Sequence, residues 1–269
     1  MRVLGSLLTL CFMTTGAQAQ DQGATQLAPD DAPTPVVRPA DDTPADARPV
    51  EAESKAIDES GKRNDVPHAP ESKPLASPIR ETLAEPEEEL RACLAALTDL
   101  GVTFVTGDPI TEAEDRDCGM VNPVTITEIA TGVDLEPDAT LRCSTALAAA
   151  RWVADAVGPF SQKLGDRGRL VGLDNGTAYL CRPRADGETS EHAFGNALDI
   201  MAFRFERGDP IPVQPRGGDG TIEESFQRAV RSAACLDFTT VLGPGSDPDH
   251  RDHLHLDVKW RENGFRICQ

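Results

Sequence analysis

The stretch SEHAFGNALD, at residues 190–199, is the most informative part of the chain. In it His192 is followed seven positions later by Asp199, with Gly195 between them and an apolar run behind. A histidine at the end of a loop and an aspartate on the next strand can reach the same metal ion, because imidazole nitrogens and carboxylate oxygens both bind zinc. We therefore expect His192 and Asp199 to be two ligands of a metal site.

A second stretch, DHLHLDV at residues 252–258, supplies a candidate for the third ligand. Read as a strand, it places His253, His255 and Asp257 on one face and its apolar residues on the other. We predict that His255 is the third ligand. Two imidazoles and one carboxylate, with a fourth position open to water, are typical of catalytic rather than structural zinc, so the expected cofactor is Zn²⁺.

The two stretches resemble the SEHxxGxAxDI and His-x-His motifs of metallopeptidases that include D-alanyl-D-alanine carboxypeptidases, lysostaphin and the hedgehog signalling domain. The context, at residues 181–184 and 243–247, is similar to the bacterial extensin-like C-terminal domain, which belongs with that superfamily. The resemblance covers roughly residues 90–269. It implies a zinc peptidase whose partners are the peptide stems of peptidoglycan.

The resemblance and the order of elements predict an α+β fold. We expect a small antiparallel sheet that carries a zinc cleft, packed with several helices and stapled by disulfides, after a disordered N-terminal region. Apolar periodicity predicts helices over residues 87–100, 139–157 and 222–234, the last opened by a capping box at Thr221. The Asn-Gly pair at residues 175–176 predicts a two-residue hairpin turn.

The N-terminal third has the composition of an export signal and a tether. A positive start, a short apolar run and Ala17-Gln18-Ala19 predict a signal peptide over residues 1–19. Residues 20–87 are rich in proline, alanine and acidic residues, so we expect a disordered linker there. The metallopeptidase-like domain would then span residues 88–269, and the protein would work in the periplasm or outside the cell.

Cysteine number and net charge limit the structure and the partners. Cleavage of the signal peptide would remove Cys11 and leave six cysteines, which in an exported chain suggests three disulfides among fifteen possible pairings. A formal net charge of −19 argues against a nucleic-acid partner. No second apolar run is long enough for a transmembrane segment. We expect a monomer.

Three further residues are candidates for catalysis. His253 shares a strand face with His255 and is the preferred general base, because imidazole titrates near neutral pH. Asp252 occupies the position where the carboxypeptidase relatives have a catalytic glutamate, so the identity of the base stays open between the two. Arg182 matches an arginine that in those relatives holds the substrate carboxylate or polarises the carbonyl. The alternative for Arg182 is a surface salt bridge.

The sequence thus favours an exported zinc-dependent peptidase that hydrolyses peptide bonds of cell-wall peptidoglycan, as a carboxypeptidase or an endopeptidase. The zinc chemistry follows from the residues, whereas peptidoglycan as substrate follows only from the resemblance. The first alternative is a non-catalytic wall-binding or scaffolding module that retains the peptidase fold. A second alternative is a zinc amidase that acts on the link between sugar and peptide.

Overall fold

A computed structural model describes residues 76–184 and 187–269 of the chain. The signal peptide expected over residues 1–19 lies outside the described residues. So does the expected linker of residues 20–87, as far as residue 75. In this part of the chain there are five α-helices: α1 (Ile79–Thr82), α2 (Glu87–Asp99), α3 (Cys143–Trp152), α4 (Gly158–Ser161) and α5 (Ile222–Ala234). The domain start expected at residue 88 stays a prediction, and α1 lies before it.

Eleven strands complete the described structure. They are β1 (Thr103–Thr106), β2 (Ile110–Thr111), β3 (Gly119–Met120), β4 (Pro123–Ala130), β5 (Val133–Arg142), β6 (Leu170–Thr177), β7 (Ala197–Phe205), β8 (Ile211–Pro212), β9 (Thr240–Leu242), β10 (Leu254–Asp257) and β11 (Ile267–Cys268). Nine of them form one sheet in the order β1-β4-β5-β6-β7-β10-β9-β11, with β8 paired to β7, and β2 pairs with β3.

The α+β class is confirmed, but the sheet is neither small nor purely antiparallel. It has nine strands, and the pairs β5–β6 and β9–β11 are parallel. The parallel β5–β6 pair has helical residues between its two strands, since a parallel connection needs a crossover. Asp199 and His255, one residue from each sequence motif, lie on β7 and β10, which are internal strands and therefore paired on both sides.

Helices α2, α3 and α5 contribute to one large apolar core with the sheet. Trp152 lies at its centre, fully buried, with edge-to-face contacts to Phe203 and Phe238 at ring-centroid distances of 6.1 and 6.5 Å. Its indole nitrogen donates to the carbonyl oxygen of Val230 at 2.8 Å, which satisfies the one polar atom that burial would otherwise leave unpaired. This residue therefore packs, as its place in an apolar helix suggests.

Helix α3 differs at both ends from the helix expected over residues 139–157. Ala139 and Leu141 are buried and belong to β5, where they pair with Ile126 and Val124 of β4. Strand pairing has outweighed the helix propensity of alanine here. At the other end the chain continues through a π-helical turn, Val153–Val157, into α4.

The hairpin expected around residues 175–176 is wrong. Strand β6 runs straight through Asn175 and Gly176 and pairs with β7, with register shifts on either side of Asn175. A Cβ atom at Gly176 would lie 2.9 Å from the sulfur of Met201, so this glycine allows close approach of the neighbouring strand. The Asn-Gly pair therefore marks a bulge instead of a turn.

Three disulfides staple the domain, and their pairing goes beyond what the sequence could choose. Cys93 is bonded to Cys143, Cys118 to Cys181, and Cys235 to Cys268. Three disulfides fit an exported protein, because reducing compartments keep thiols free. Of the helices in residues 76–184 and 187–269, none is both long and apolar enough to cross a membrane.

Candidate metal centre

Two of the predicted ligands meet across the β7–β10 strand pair. Asp199 on β7 lies directly opposite His255 on β10 in the antiparallel register. Their neighbours Leu198, Ile200 and Leu256 are fully buried in the core on the other face of the sheet. Alternation along both strands thus sends the apolar side chains inward and the two polar side chains into a cleft on the opposite face.

The third predicted ligand, His192, lies on a 3₁₀ turn, Glu191–Phe194, directly before β7. The turn begins at Ser190, whose hydroxyl oxygen accepts from the backbone N–H of His192 at 3.4 Å. It ends at Gly195, which adopts the left-handed conformation at φ +66°. These signals at both ends explain why the loop folds back and presents His192 to the cleft.

The three side chains converge to within hydrogen-bond distance of one another. His192 Nε2 lies 3.2 Å from His255 Nδ1 and 3.3 Å from Asp199 Oδ1, and the last two atoms are 3.0 Å apart. Ligand atoms about 2.0–2.1 Å from a tetrahedral zinc ion lie about 3.3 Å from each other. The triangle of two nitrogens and one oxygen therefore fits one face of a zinc coordination tetrahedron.

The outer nitrogen of each imidazole is held by a hydrogen-bond acceptor. His192 Nδ1 donates to the carbonyl oxygen of Ala178 at 2.7 Å, and His255 Nε2 donates to Asp257 Oδ2 at 3.2 Å. Metal-binding histidines characteristically donate their second N–H to a carbonyl or carboxylate, which fixes the tautomer and the ring orientation. Asp257 thus fixes the orientation of His255.

Burial and charge oppose each other in this cluster. Although burial lowers the pKa of His255, its hydrogen bonds to Asp199 and Asp257 outweigh burial and raise the pKa to about 9. Burial also acts to raise the pKa of Asp199, but the bonds from His192 and His255 hold that pKa well below its ordinary range. In the metal-free protein a proton thus takes the place that a cation would fill.

The candidate bases lie just before β10, next to the triangle. His253 Nε2 lies 3.8 Å from Asp199 Oδ1, and its Nδ1 donates to Asp252 Oδ1 at 3.0 Å. The Asp252 side chain is 61% exposed and lines the same cleft, where it contacts His253. Its bond to His253 lowers the pKa of Asp252 and keeps it ionised. The two residues thus form one Asp-His pair, in which the imidazole of His253 lies between Asp252 and the candidate ligand Asp199.

Arg182 lies on the wall of the same cleft, which has a volume of about 1060 Å³. Within the described part of the chain its side chain makes no hydrogen bond or ion pair, while its carbonyl oxygen accepts from the backbone N–H of Ser190 at 3.2 Å. The salt bridge considered as an alternative is therefore absent among residues 76–184 and 187–269. The guanidinium is exposed and lines the cleft together with His253 and the ligands.

His250 is a cleft residue to which the sequence assigned no role. Its Nδ1 lies 2.7 Å from both carboxylate oxygens of Asp247, and its ring lies 5.2 and 5.4 Å from the rings of His253 and His255. Asp247 also accepts from the backbone N–H groups of Asp249 and His250. The i,i+3 spacing of an aspartate and a histidine in a glycine-rich turn was the signal that could have identified this pair.

A second group of possible ligand atoms, Asp115, Cys118 and Cys181, does not make a metal site. The two cysteines are joined in a disulfide, so neither can offer the thiolate that binds a metal.

The matching family model covers most of the described part of the chain. The model of the family described as "Extensin-like protein C-terminus" matches residues 91–269, which is well over half of the chain. A search of curated proteins and a search of solved structures found no match. The resemblance to the extensin-like domain is confirmed, whereas the wider relationship to zinc metallopeptidases stays a prediction. The chain belongs to the extensin-like protein C-terminus family.

Proposed function

We propose that this protein is an exported zinc-dependent peptidase that cuts peptide bonds in cell-wall peptidoglycan. One observation carries the proposal, namely the triangle of His192 Nε2, Asp199 Oδ1 and His255 Nδ1 with edges of 3.0–3.3 Å. Its ligand set has the composition of catalytic zinc sites. When bound, zinc would polarise a peptide carbonyl and lower the pKa of water toward neutrality.

His253 is the proton acceptor in this proposal. Its Nδ1 hydrogen is committed to Asp252, which leaves Nε2 with a lone pair on the side of the ligand cluster. Asp252 fixes this tautomer and stabilises the imidazolium that forms when the proton arrives. A general base placed in this way contributes about 10²–10⁴-fold to the rate.

Arg182 would bind the substrate. Its guanidinium lines the cleft without an internal partner in the described residues and offers a planar fork of donors that matches a carboxylate. A cleft of about 1060 Å³ has room for a short peptide. Peptidoglycan stems, as the source of that peptide, are supported by the resemblance of the two motifs to cell-wall peptidases.

The test is digestion of purified muropeptides by the zinc-loaded protein, followed by mass spectrometry. We expect loss of a terminal D-alanine or of a peptide cross-link, which also identifies the bond. His192→Ala should lose both zinc and cleavage. His253→Ala should keep zinc and lose most of the cleavage, because it removes the base and leaves the ligands in place.

Different outcomes would favour the other functions. Bound zinc without any change in the muropeptides would contradict the peptidase and support a wall-binding module. Release of intact stem peptides from the sugar would indicate an amidase. Absence of zinc from the wild-type protein after loading would overturn the proposal as a whole.

A further inference from the structure

A chain of charged and amide side chains runs beside the candidate metal centre, with Glu191 and Lys259 in the wall of the cleft. Lys259 Nζ lies 3.1 Å from Glu191 Oε1, and Asn196 Nδ2 donates to Glu191 Oε2 at 2.9 Å. Arg142 then donates to Asn196 Oδ1 at 2.9 Å and pairs with Glu85 at 3.0 Å. The chain therefore alternates acid and base from Glu85 to Lys259, with an amide in the middle.

This polar chain touches each segment that carries a candidate ligand. Glu191 directly precedes His192, and Asn196 begins the approach to β7 and Asp199. On the far side, the backbone N–H of Lys259 donates to Asp257 Oδ1 at 3.0 Å, next to the oxygen that holds His255.

Backbone bonds reinforce the same links. The N–H of Arg142 donates to the carbonyl oxygen of Gly195 at 3.0 Å, and the N–H of Asn196 donates to that of Glu191 at 3.0 Å. The N–H of Val258 donates to the carbonyl oxygen of Asn196 at 3.1 Å. The turn of His192 is thus tied to the end of β5 and to the end of β10.

One end of the polar chain lies outside the region that the family model matches. Glu85 precedes residue 91, and it is anchored by the hydroxyl group of Ser144 at 3.1 Å as well as by Arg142. The segment around it is held by α1, where the N–H of Ile79 donates to Asp117 Oδ1 at 3.0 Å. Residues 76–86 therefore form a strap. The strap is linked to the candidate site through Glu85, Arg142 and Asn196.

Three charged side chains of this polar chain are largely buried, and removing them from water costs free energy. The side chains of Glu85, Arg142 and Glu191 are only 10%, 14% and 11% exposed. Buried ion pairs often add little net stability, since desolvation offsets their attraction. Unlike apolar side chains, buried ion pairs need specific partners, so they can favour one arrangement of the segments that they join.

We propose that Glu85 and Arg142 are positioning residues for the metal centre, and that the strap of residues 76–86 is part of its functional unit. The inference rests on the proposed zinc site. Arg142 bridges the strap to Asn196 and so holds the turn of His192 at a fixed distance from β7 and β10. Without it, the ligand triangle would loosen although all three ligands remain.

The test compares zinc affinity, measured by competition with a chelator, in the full chain and in Arg142→Met. We expect about a tenfold loss of affinity, the lower end of the range for groups that hydrogen-bond a ligand directly, because Arg142 acts through Asn196. Glu85→Gln keeps the shape and removes one charge, so it should give a smaller loss of the same sign. Exchange of the Asn196 amide hydrogen in the metal-free protein should also become faster in Arg142→Met.

Arg167→Met is the matched control. Arg167 pairs with Glu223 at 2.9 Å and is 25% exposed, but the pair is not among the residues that line the cleft. This variant should lower the unfolding midpoint without changing zinc affinity. Wild-type affinity in both Arg142→Met and Glu85→Gln, or an equal loss in Arg167→Met, would overturn the inference while the zinc site stands. A wild-type chain that binds no zinc would overturn the proposed function as well.

Discussion

At the scale of single residues, the two aspartates beside the His-x-His motif have different tasks. Asp257 is buried and accepts from His255, a candidate ligand. Asp252 is exposed and accepts from His253, the candidate base. In the proposed peptidase, the same pair of residue types would therefore support metal binding at one position and proton transfer at the other.

This division predicts different defects for two conservative variants. Asp257→Asn should weaken zinc binding about 10–100-fold, because a neutral amide orients and polarises His255 less well. Asp252→Asn should leave zinc content unchanged and lower the turnover of muropeptides about tenfold or more, because His253 loses its ionic partner. Chelator competition and rate measurements separate the two effects. Equal loss of zinc in both variants would contradict the assignment.

The pKa of His255 predicts a pH dependence of the metal-free protein. Because the pKa is raised from 6.5 to about 9, protonated His255 favours the folded state. Its contribution is complete below pH 6.5 and is lost as the pH rises through 9. We expect the unfolding midpoint of the metal-free protein to fall between pH 6.5 and 9.

Two controls accompany that measurement. Metal-free His255→Gln should lack this fall, and the zinc-loaded protein should lack it too, because the metal replaces the proton. A metal-free wild type that is equally stable at pH 6.5 and 9 would show that the charged cluster does not form.

At the scale of elements, the site depends on a turn and two strands. The β7–β10 register fixes Asp199 opposite His255, and a shift of β10 by one residue would send His255 to the face of the sheet away from Asp199. The conformation of the turn Glu191–Phe194 is fixed instead by the residues at its two ends, Ser190 and Gly195. Gly195 at its C-terminal end is the position most sensitive to substitution.

Gly195→Ala tests this turn. The residue has φ +66°, and an added Cβ would overlap the sulfur of Met120 and lie 3.0 Å from the backbone nitrogen of Arg142. We expect a loss of about 1–3 kcal/mol in the free energy of unfolding from strain and overpacking, with weaker zinc binding. Gly217→Ala is the control, because nothing lies within 4 Å of its Cβ. Denaturant titration measures both, and equal stability of the two variants would contradict the prediction.

At the scale of the whole molecule, disulfides join parts of the domain that are far apart in sequence. Cys118–Cys181 closes a separation of 63 residues and lies in a small apolar cluster with Ala193 and Phe194 of the His192 turn. Cys235–Cys268 closes a separation of 33 residues and holds the edge strand β11. Of these two disulfides, only the first packs against the turn that carries a candidate ligand.

Two double variants, in which both cysteines of one disulfide are replaced by serine, should therefore differ more in zinc affinity than in stability. Loss of either disulfide should cost about 2–4 kcal/mol of unfolding free energy. Removal of Cys118 and Cys181 should also weaken zinc binding, whereas removal of Cys235 and Cys268 should leave it unchanged below the unfolding transition. Calorimetry and chelator competition on the two double variants provide the comparison. Equal zinc affinity in both would contradict the link to His192.

Local patterns in the sequence were sufficient for helices α2 and α5 and for the three side chains that converge, while the α+β class rested on the family resemblance as well. Helix α5 begins as expected, with the Thr221 hydroxyl accepting from the N–H of Glu224 at 3.2 Å. The convergence of His192, Asp199 and His255 followed from residue chemistry and strand alternation, which act over a few positions.

Only the tertiary structure decided the features that depend on distant partners. The strand at residues 139–142, the bulge at Asn175 and the three cysteine pairings each reflect a neighbour remote in sequence. The Glu85–Arg142 pair joins residues 57 positions apart (142 − 85), and no local pattern marks it. Local propensities differ by less than about 1 kcal/mol per residue, so pairing and burial outweigh them wherever the fold brings distant segments together.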